Sequence, residues 1–253
     1  MFRKFRILLL LFVLVTVGLG AWRANARLTA WQHTIPVALY PVAADDSPVT
    51  AAFLRRLDAD AFAGLARWVQ AESERHGRPV LQPIALALAP ALSGRPPLPP
   101  ERPGVLDAVA WSLQLRRWAS RHDAIAGPRP QVRLFLLFHD PARTPSLPHS
   151  TGLSKGGIGL IHVFASPGQQ AQNLVVVAHE LLHVFGATDK YDPATLQPLF
   201  PAGYAEPERG LPQRRAEIMG GRIPVDAQRA DIPDSLEETL IGPQTPREIG
   251  LLR

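Results

Sequence analysis

The 253-residue chain contains no cysteine, and its only methionine besides Met1 is Met219. The first absence excludes disulfides, thiolate metal ligands and a cysteine nucleophile. Any metal must then be held by histidine and carboxylate side chains. Long runs of one charge are missing too: the net +5 comes almost wholly from scattered arginines, including the pairs Arg55-Arg56, Arg116-Arg117 and Arg214-Arg215. Such pairs read as solvated surface before they read as contacts to an anionic membrane. No basic stripe is interleaved with aromatics, so nucleic acid is not an expected partner.

A full-length apolar span is also lacking at the N-terminus. The mostly apolar run Ile7 to Trp22 has 16 residues, between a signal-peptide core and the roughly 20 of a comfortable membrane crossing. Three cations, Arg3, Lys4 and Arg6, precede it. The expectation is an uncleaved signal anchor over residues 1–27, single-pass in the inner membrane, with Trp22 at the interface and the remainder exported. Cleavage at the weak Ala24-Asn25-Ala26 pattern would instead release a periplasmic or secreted protein.

What is present suits one globular domain over residues 28–253. The apolar share is 46% and the charged share 19%, which rules out wholesale disorder. Strand patterns fall at Ile35 to Val42, in "PVLQPIALALAP", in "QVRLFLLFHD" and at Gly156 to Ala165. Helical spacing runs from Ser47 to Gly77, with Leu54, Leu57, Phe62, Leu65, Trp68 and Val69 inward. It recurs from Gly104 to Asp123, with Val105, Val109, Leu113 and Trp118 inward. This order predicts an α+β or α/β sheet layered with helices over 33–188. A proline- and glycine-rich, mostly irregular C-terminal lobe follows over 189–253, with one short helix near Thr245, Pro246 and Glu248.

Chemistry concentrates in "AHELLHVFGATDKYD", Ala178 to Asp192. Upstream, Ser166-Pro167-Gly168-Gln169 predicts a helix start, and the helix that follows is apolar on every side, hence buried. His179, Glu180 and His183 would be costly there unless compensated. Positions i and i+4 share a helix face, so both histidines can address one ion. Glu180, rotated about 100° from His179, can meet water beside that ion as a general base. Gly186 can turn the chain back, bringing Asp189 to the ion as third ligand. Glu206, Glu208, Glu217 and Asp192 are the competing carboxylates, and "DKYD" can also be a plain polar turn. His162 reads as a satisfied sheet residue, His139 as a strand end, and His33, His76, His122 and His149 as solvent-facing.

The extended pattern H-E-x-x-H-x-x-G-x-x-D, followed 30 residues later by Met219, resembles the metzincin clan of zinc metallopeptidases, which have histidine or, in a minority, aspartate at the position of Asp189 and a methionine turn beneath the metal. The resemblance implies a metzincin-like mixed sheet with two packing helices and an active-site helix, Zn2+ as cofactor and a peptide or protein substrate. It implies a zinc endopeptidase in which Glu180 activates water. It also implies that the strand before the motif helix, Gly156 to Ala165, pairs with extended substrate. Gly221 stands where some metzincins have a tyrosine, and Tyr191, Tyr204 and Arg222 are the candidates to replace it. Alternative functions are a membrane-tethered zinc-binding or assembly protein without peptidase activity, and a zinc amidase acting on a cell-envelope substrate.

Overall fold

The structure, a computed structural model, describes all residues except 1, 79, 101–103, 124, 126–128, 154, 155 and 253. Five strands form one sheet: β1 (Ile35–Ala43), β2 (Ile84–Leu88), β3 (Val132–His139), β4 (Thr151–Leu153) and β5 (Ile158–Phe164). Their order is β2-β1-β3-β5-β4. The first four are mutually parallel, and β4 closes the edge antiparallel to β5. The protein is therefore of the α+β or α/β kind, with a mixed sheet.

Alternation along the strands divides the core into two layers. Leu39, Leu134, Leu136, Ile161 and Val163 point to one face. There they meet α3 (Ala63–Arg75), through Leu65 and Val69, and α5 (Gln170–Phe185), through Val177, Leu181 and Val184. Tyr40, Phe135, Leu137 and Leu160 point to the other face and are covered by α4 (Val105–Arg121).

The expected helix over Ser47 to Gly77 is in fact two, α2 (Pro48–Leu54) and α3, joined by a 3-10 turn at Ala59–Phe62. Asp58 causes the restart, since its carboxylate accepts from the Ala61 amide at 3.2 Å. The inward face expected of the next helix is also corrected. Val105, Val109 and Leu113 are exposed and Trp118 packs partly buried against the core, while Trp111, Leu115 and Ala119, four residues apart, are buried. Trp111 decides that rotation, because its indole Nε1 donates to the Pro97 carbonyl at 2.9 Å while the ring fills the layer.

Strand β4 was not legible as a strand, and its presence changes the substrate expectation. With β3 on one side and β4 on the other, β5 is covered on both edges over Ile158, Gly159 and Leu160. Over that stretch the sheet edge belongs to β4.

The membrane expectation is overturned. Helix α1 (Phe2–Leu28) forms, but among the described residues no helix is long and apolar enough to cross a membrane. An apolar run of 16 residues makes about 24 Å of helix, short of the ~30 Å hydrocarbon core. The single-pass inner-membrane placement and the membrane as partner of the N-terminal helix fall with it. The side chain of Trp22 lies outside the described residues. The far end of α1 instead joins the core, where Leu28 and Trp31 are buried and Trp31 Nε1 donates to the Ile249 carbonyl at 2.7 Å.

Beyond α5 the chain is mostly irregular, as its composition predicts. It carries the short pieces β6 (Ala216–Glu217), β7 (Ile223–Pro224), β8 (Ala230–Asp231), β9 (Thr239–Leu240) and α6 (Thr245–Glu248). Thr245 does not cap α6, since its hydroxyl donates to the buried carboxylate of Glu217 at 2.6 Å.

Candidate metal centre

Helix α5 begins with a 3-10 turn at Pro167–Gln169 rather than with a Ser166 side-chain cap. Asn173 fixes the helix to the sheet by donating to the Phe164 carbonyl and accepting from the Phe164 amide, both at 2.9 Å. The helix stops at Gly186, whose φ of 108° is left-handed. The Gly186 amide donates to the His183 carbonyl at 3.0 Å and the Ala187 amide to the Leu182 carbonyl at 2.9 Å. The chain then doubles back, placing Asp189 over the last turn of α5.

His179 Nε2 and His183 Nε2 stand 3.0 Å apart, and Asp189 Oδ1 is 3.1 Å from each. The other ring nitrogens are engaged: His179 Nδ1 lies 2.8 Å from the Ile218 carbonyl, and His183 Nδ1 lies 2.9 Å from the Ala187 carbonyl. A nitrogen facing a carbonyl carries the proton, which leaves Nε2 as the lone-pair side of each ring. Two lone pairs and a carboxylate oxygen at this spacing repel one another unless a cation lies among them. Without a metal, protons must serve. Burial alone would raise the Asp189 carboxyl, but hydrogen bonds from both histidines outweigh it and hold the group far below the usual carboxylate range. Burial likewise works against protonated His183, yet Asp189 and the Ala187 carbonyl raise it above its ordinary value.

The donor set fits zinc. Ligand atoms around a tetrahedral zinc with bonds of about 2.0–2.1 Å stand about 3.3 Å apart, close to the triangle observed, and two imidazoles with one carboxylate leave a fourth position open. Glu180 offers an oxygen within 4.8 Å of the histidine nitrogens. Its Oε2 is buried without a hydrogen-bond partner among the described residues. Burial raises this carboxyl above its ordinary value, and the neighbouring histidines act against that rise.

Beneath the triangle runs a tight turn at Ile218-Met219-Gly220. Met219 is fully buried in the core cluster that contains Leu181 and Leu182. The two backbone carbonyls here do different work: that of Ile218 orients His179, and that of Met219 accepts from the Lys190 amide at 2.9 Å. Glu217 is not a ligand. It is fully buried and accepts from Gly220 at 2.8 Å, Gly242 at 3.1 Å and Thr245, so it holds the turn from below. Glu206 faces Arg215 instead, and Asp192 caps its own turn by accepting from Ala194 and Thr195.

Two participants were not foreseen. Glu248 accepts from the amide and hydroxyl of Thr188 at 2.9 and 3.0 Å, and from Lys190 Nζ at 2.8 Å, clamping the residues on either side of Asp189. His149 is exposed, as expected, and acts with His179 and His183 against the rise that burial gives the Glu180 carboxyl. Their sequence separations, 60 residues from Thr188 to Glu248 for instance, leave no periodic signal. Among the candidates for the vacant tyrosine role, Tyr191 lies closest to the triangle. Its ring centroid is 6.4 Å from that of His179, and burial, with the charge of Asp189 adding to it, raises its hydroxyl above the ordinary value. Arg222 lines the adjoining cleft, and Tyr204 is buried against Phe200.

The remaining histidines are placed elsewhere. His139 ends β3, as expected, and it and His162 are both buried and share a hydrogen bond of 2.7 Å. His76 is partly buried against the Ile241 carbonyl.

No protein-family model and no curated protein matches the chain. Among solved structures it is similar to the crystal structure of wild-type OgpA from Akkermansia muciniphila, at 14% identity over 84% of this chain, with a TM-score of 0.38. The chain spans 58% of the length of that structure. A likeness this distant carries no argument about the activity of the present chain.

Proposed function

We propose that the protein is a zinc-dependent endopeptidase with a metzincin-like site, hydrolysing peptide bonds in a peptide or protein substrate. The observation that carries this reading is the triangle of His179 Nε2, His183 Nε2 and Asp189 Oδ1, at 3.0 to 3.1 Å, beside the unpartnered Glu180 oxygen. A purely structural zinc site has no use for that glutamate. When bound, zinc supplies a Lewis acid that polarises a carbonyl and acidifies water.

Within this reading, the backbone carbonyls of Ile218 and Ala187 hold the two imidazoles in one tautomer. Glu180 takes a proton from the attacking water and later gives it to the leaving amine, a role suited to a carboxyl whose basicity burial has raised. The Tyr191 hydroxyl, next to Asp189, is within reach of charge that develops on the substrate oxygen. The free edge of β4, packed beside α5, offers unpaired backbone groups to an extended substrate chain.

The test is cleavage of an unfolded substrate such as casein by zinc-loaded protein. The expected result is about one zinc per chain, cleavage that stops on chelation, and recovery when zinc is returned. One zinc per chain with no cleavage would favour a zinc-binding or assembly role, or an amidase acting on a non-peptide substrate.

A further inference from the structure

A cleft opens beside His179, walled by Val175, Val176, Leu196, Ile218 and Tyr191, with Arg222 at its lining. The two valines stand four and three residues before His179, so helix geometry puts them on the face that carries the imidazole. Gly221, at φ 72° with nothing within 4 Å of where a Cβ would stand, leaves one side open. Leu196 is held at φ 57°, a left-handed conformation. Bonds from the Leu196 amide to the Asp192 carbonyl at 2.7 Å and from the Asp192 amide to the Gln197 carbonyl at 2.9 Å impose it. A residue other than glycine carries a conformational cost there. The fold maintains that cost where the leucine side chain closes the cleft.

Arg222 is the odd member of this apolar lining. It is partly buried, and its one side-chain hydrogen bond among the described residues is long, from Nη1 to the Ala230 carbonyl at 3.4 Å. Among the described residues no carboxylate lies within ion-pair distance of it, whereas nearby Arg229 is paired with Asp231 at 3.2 Å. A guanidinium offers five donors, and its strongest partners are carboxylates. The cleft thus joins walls suited to methylene groups with a cation that has no carboxylate partner among the described residues.

We propose that this cleft is a specificity pocket for an acidic side chain of the substrate. The stem of a glutamate or aspartate packs on Val175, Val176 and Leu196, and its carboxylate meets Arg222. This rests on the peptidase reading of the metal centre, because the cleft adjoins His179.

The test has a binding arm and a cleavage arm. In the first, the full-length, zinc-loaded Glu180→Gln variant is titrated with alanine hexapeptides in which one glutamate is moved through every position, and with the matching glutamine and lysine series. The expected result is one position at which glutamate binds about tenfold more tightly than glutamine. Arg222→Leu removes that preference, and Arg222→Glu transfers it to lysine, with zinc content unchanged in both. Equal binding of the glutamate and glutamine series, a preference that survives Arg222→Leu, or no binding of any peptide overturns the proposal. In the second arm, zinc-loaded wild-type protein digests a mixed peptide library and the cleavage sites are read by mass spectrometry. Cleavage without enrichment of Asp or Glu at any fixed subsite overturns the pocket and leaves the peptidase standing. Glutamate-selective binding with no cleavage supports the pocket and overturns the peptidase.

Discussion

Asp189 contributes one oxygen to a triangle otherwise made of imidazole nitrogen, and its loop is clamped on both flanks by Glu248. Asp189→Ala should lose stoichiometric zinc, whereas Asp189→His, which restores a ligand atom on the same loop, should retain it. Metal analysis after gel filtration distinguishes the two outcomes, and equal zinc in all three proteins would remove Asp189 from the ligand set. Lys190→Met leaves the ligands intact but loosens the clamp, and should weaken zinc about 10–100-fold by competitive chelation, the usual cost of losing a supporting partner. His179, Glu180 and His183 were legible in sequence because helix periodicity alone sets their relation. Lys190 and Glu248 were not, since a side chain reaching across a loop leaves no repeat to read.

Helix α5 was readable as an element because apolar residues surround it and a glycine ends it. Gly186 carries most of that ending. A Cβ there would meet the Glu248 carbonyl only at 3.5 Å, so the space is adequate and the penalty is conformational, at φ 108°. Gly186→Ala should therefore cost about 1–2 kcal/mol in denaturant unfolding, the price of a left-handed non-glycine residue, and should weaken zinc by shifting the loop to Asp189. Helix α4 was readable in extent but not in orientation. Val105, Val109 and Leu113 make as good an apolar spacing as Trp111, Leu115 and Ala119, and only the Pro97 carbonyl that receives the Trp111 indole separates them. Strand β4 was hidden for another reason: its three residues include a glycine, and they form a strand only because the β5 edge lies beside them.

Across the whole molecule, two layers on one sheet followed from strand alternation, while the N-terminal anchor did not survive the structure. Stability should carry a signature of the buried histidine pair on the α4 side of the sheet. Burial, with His139 adding to it, lowers His162 from 6.5 to about 4, and burial lowers His139 as well. As pH falls below 6.5, the unfolded chain takes up protons that the folded chain refuses. The stability contributed by the neutral pair is therefore complete above pH 6.5 and is lost progressively down to about pH 4. Thermal melts across that window should fall in the wild-type protein and fall less steeply in His162→Gln. Parallel curves would show that the pair does not govern the acid response.

The most direct measurement of the central claim compares wild type with Glu180→Gln at equal zinc content. The substitution keeps the shape and removes the base, so the account predicts one zinc per chain in both proteins and a loss of casein cleavage of about 10²–10⁴-fold in the variant. Wild-type cleavage by the zinc-loaded variant would contradict it.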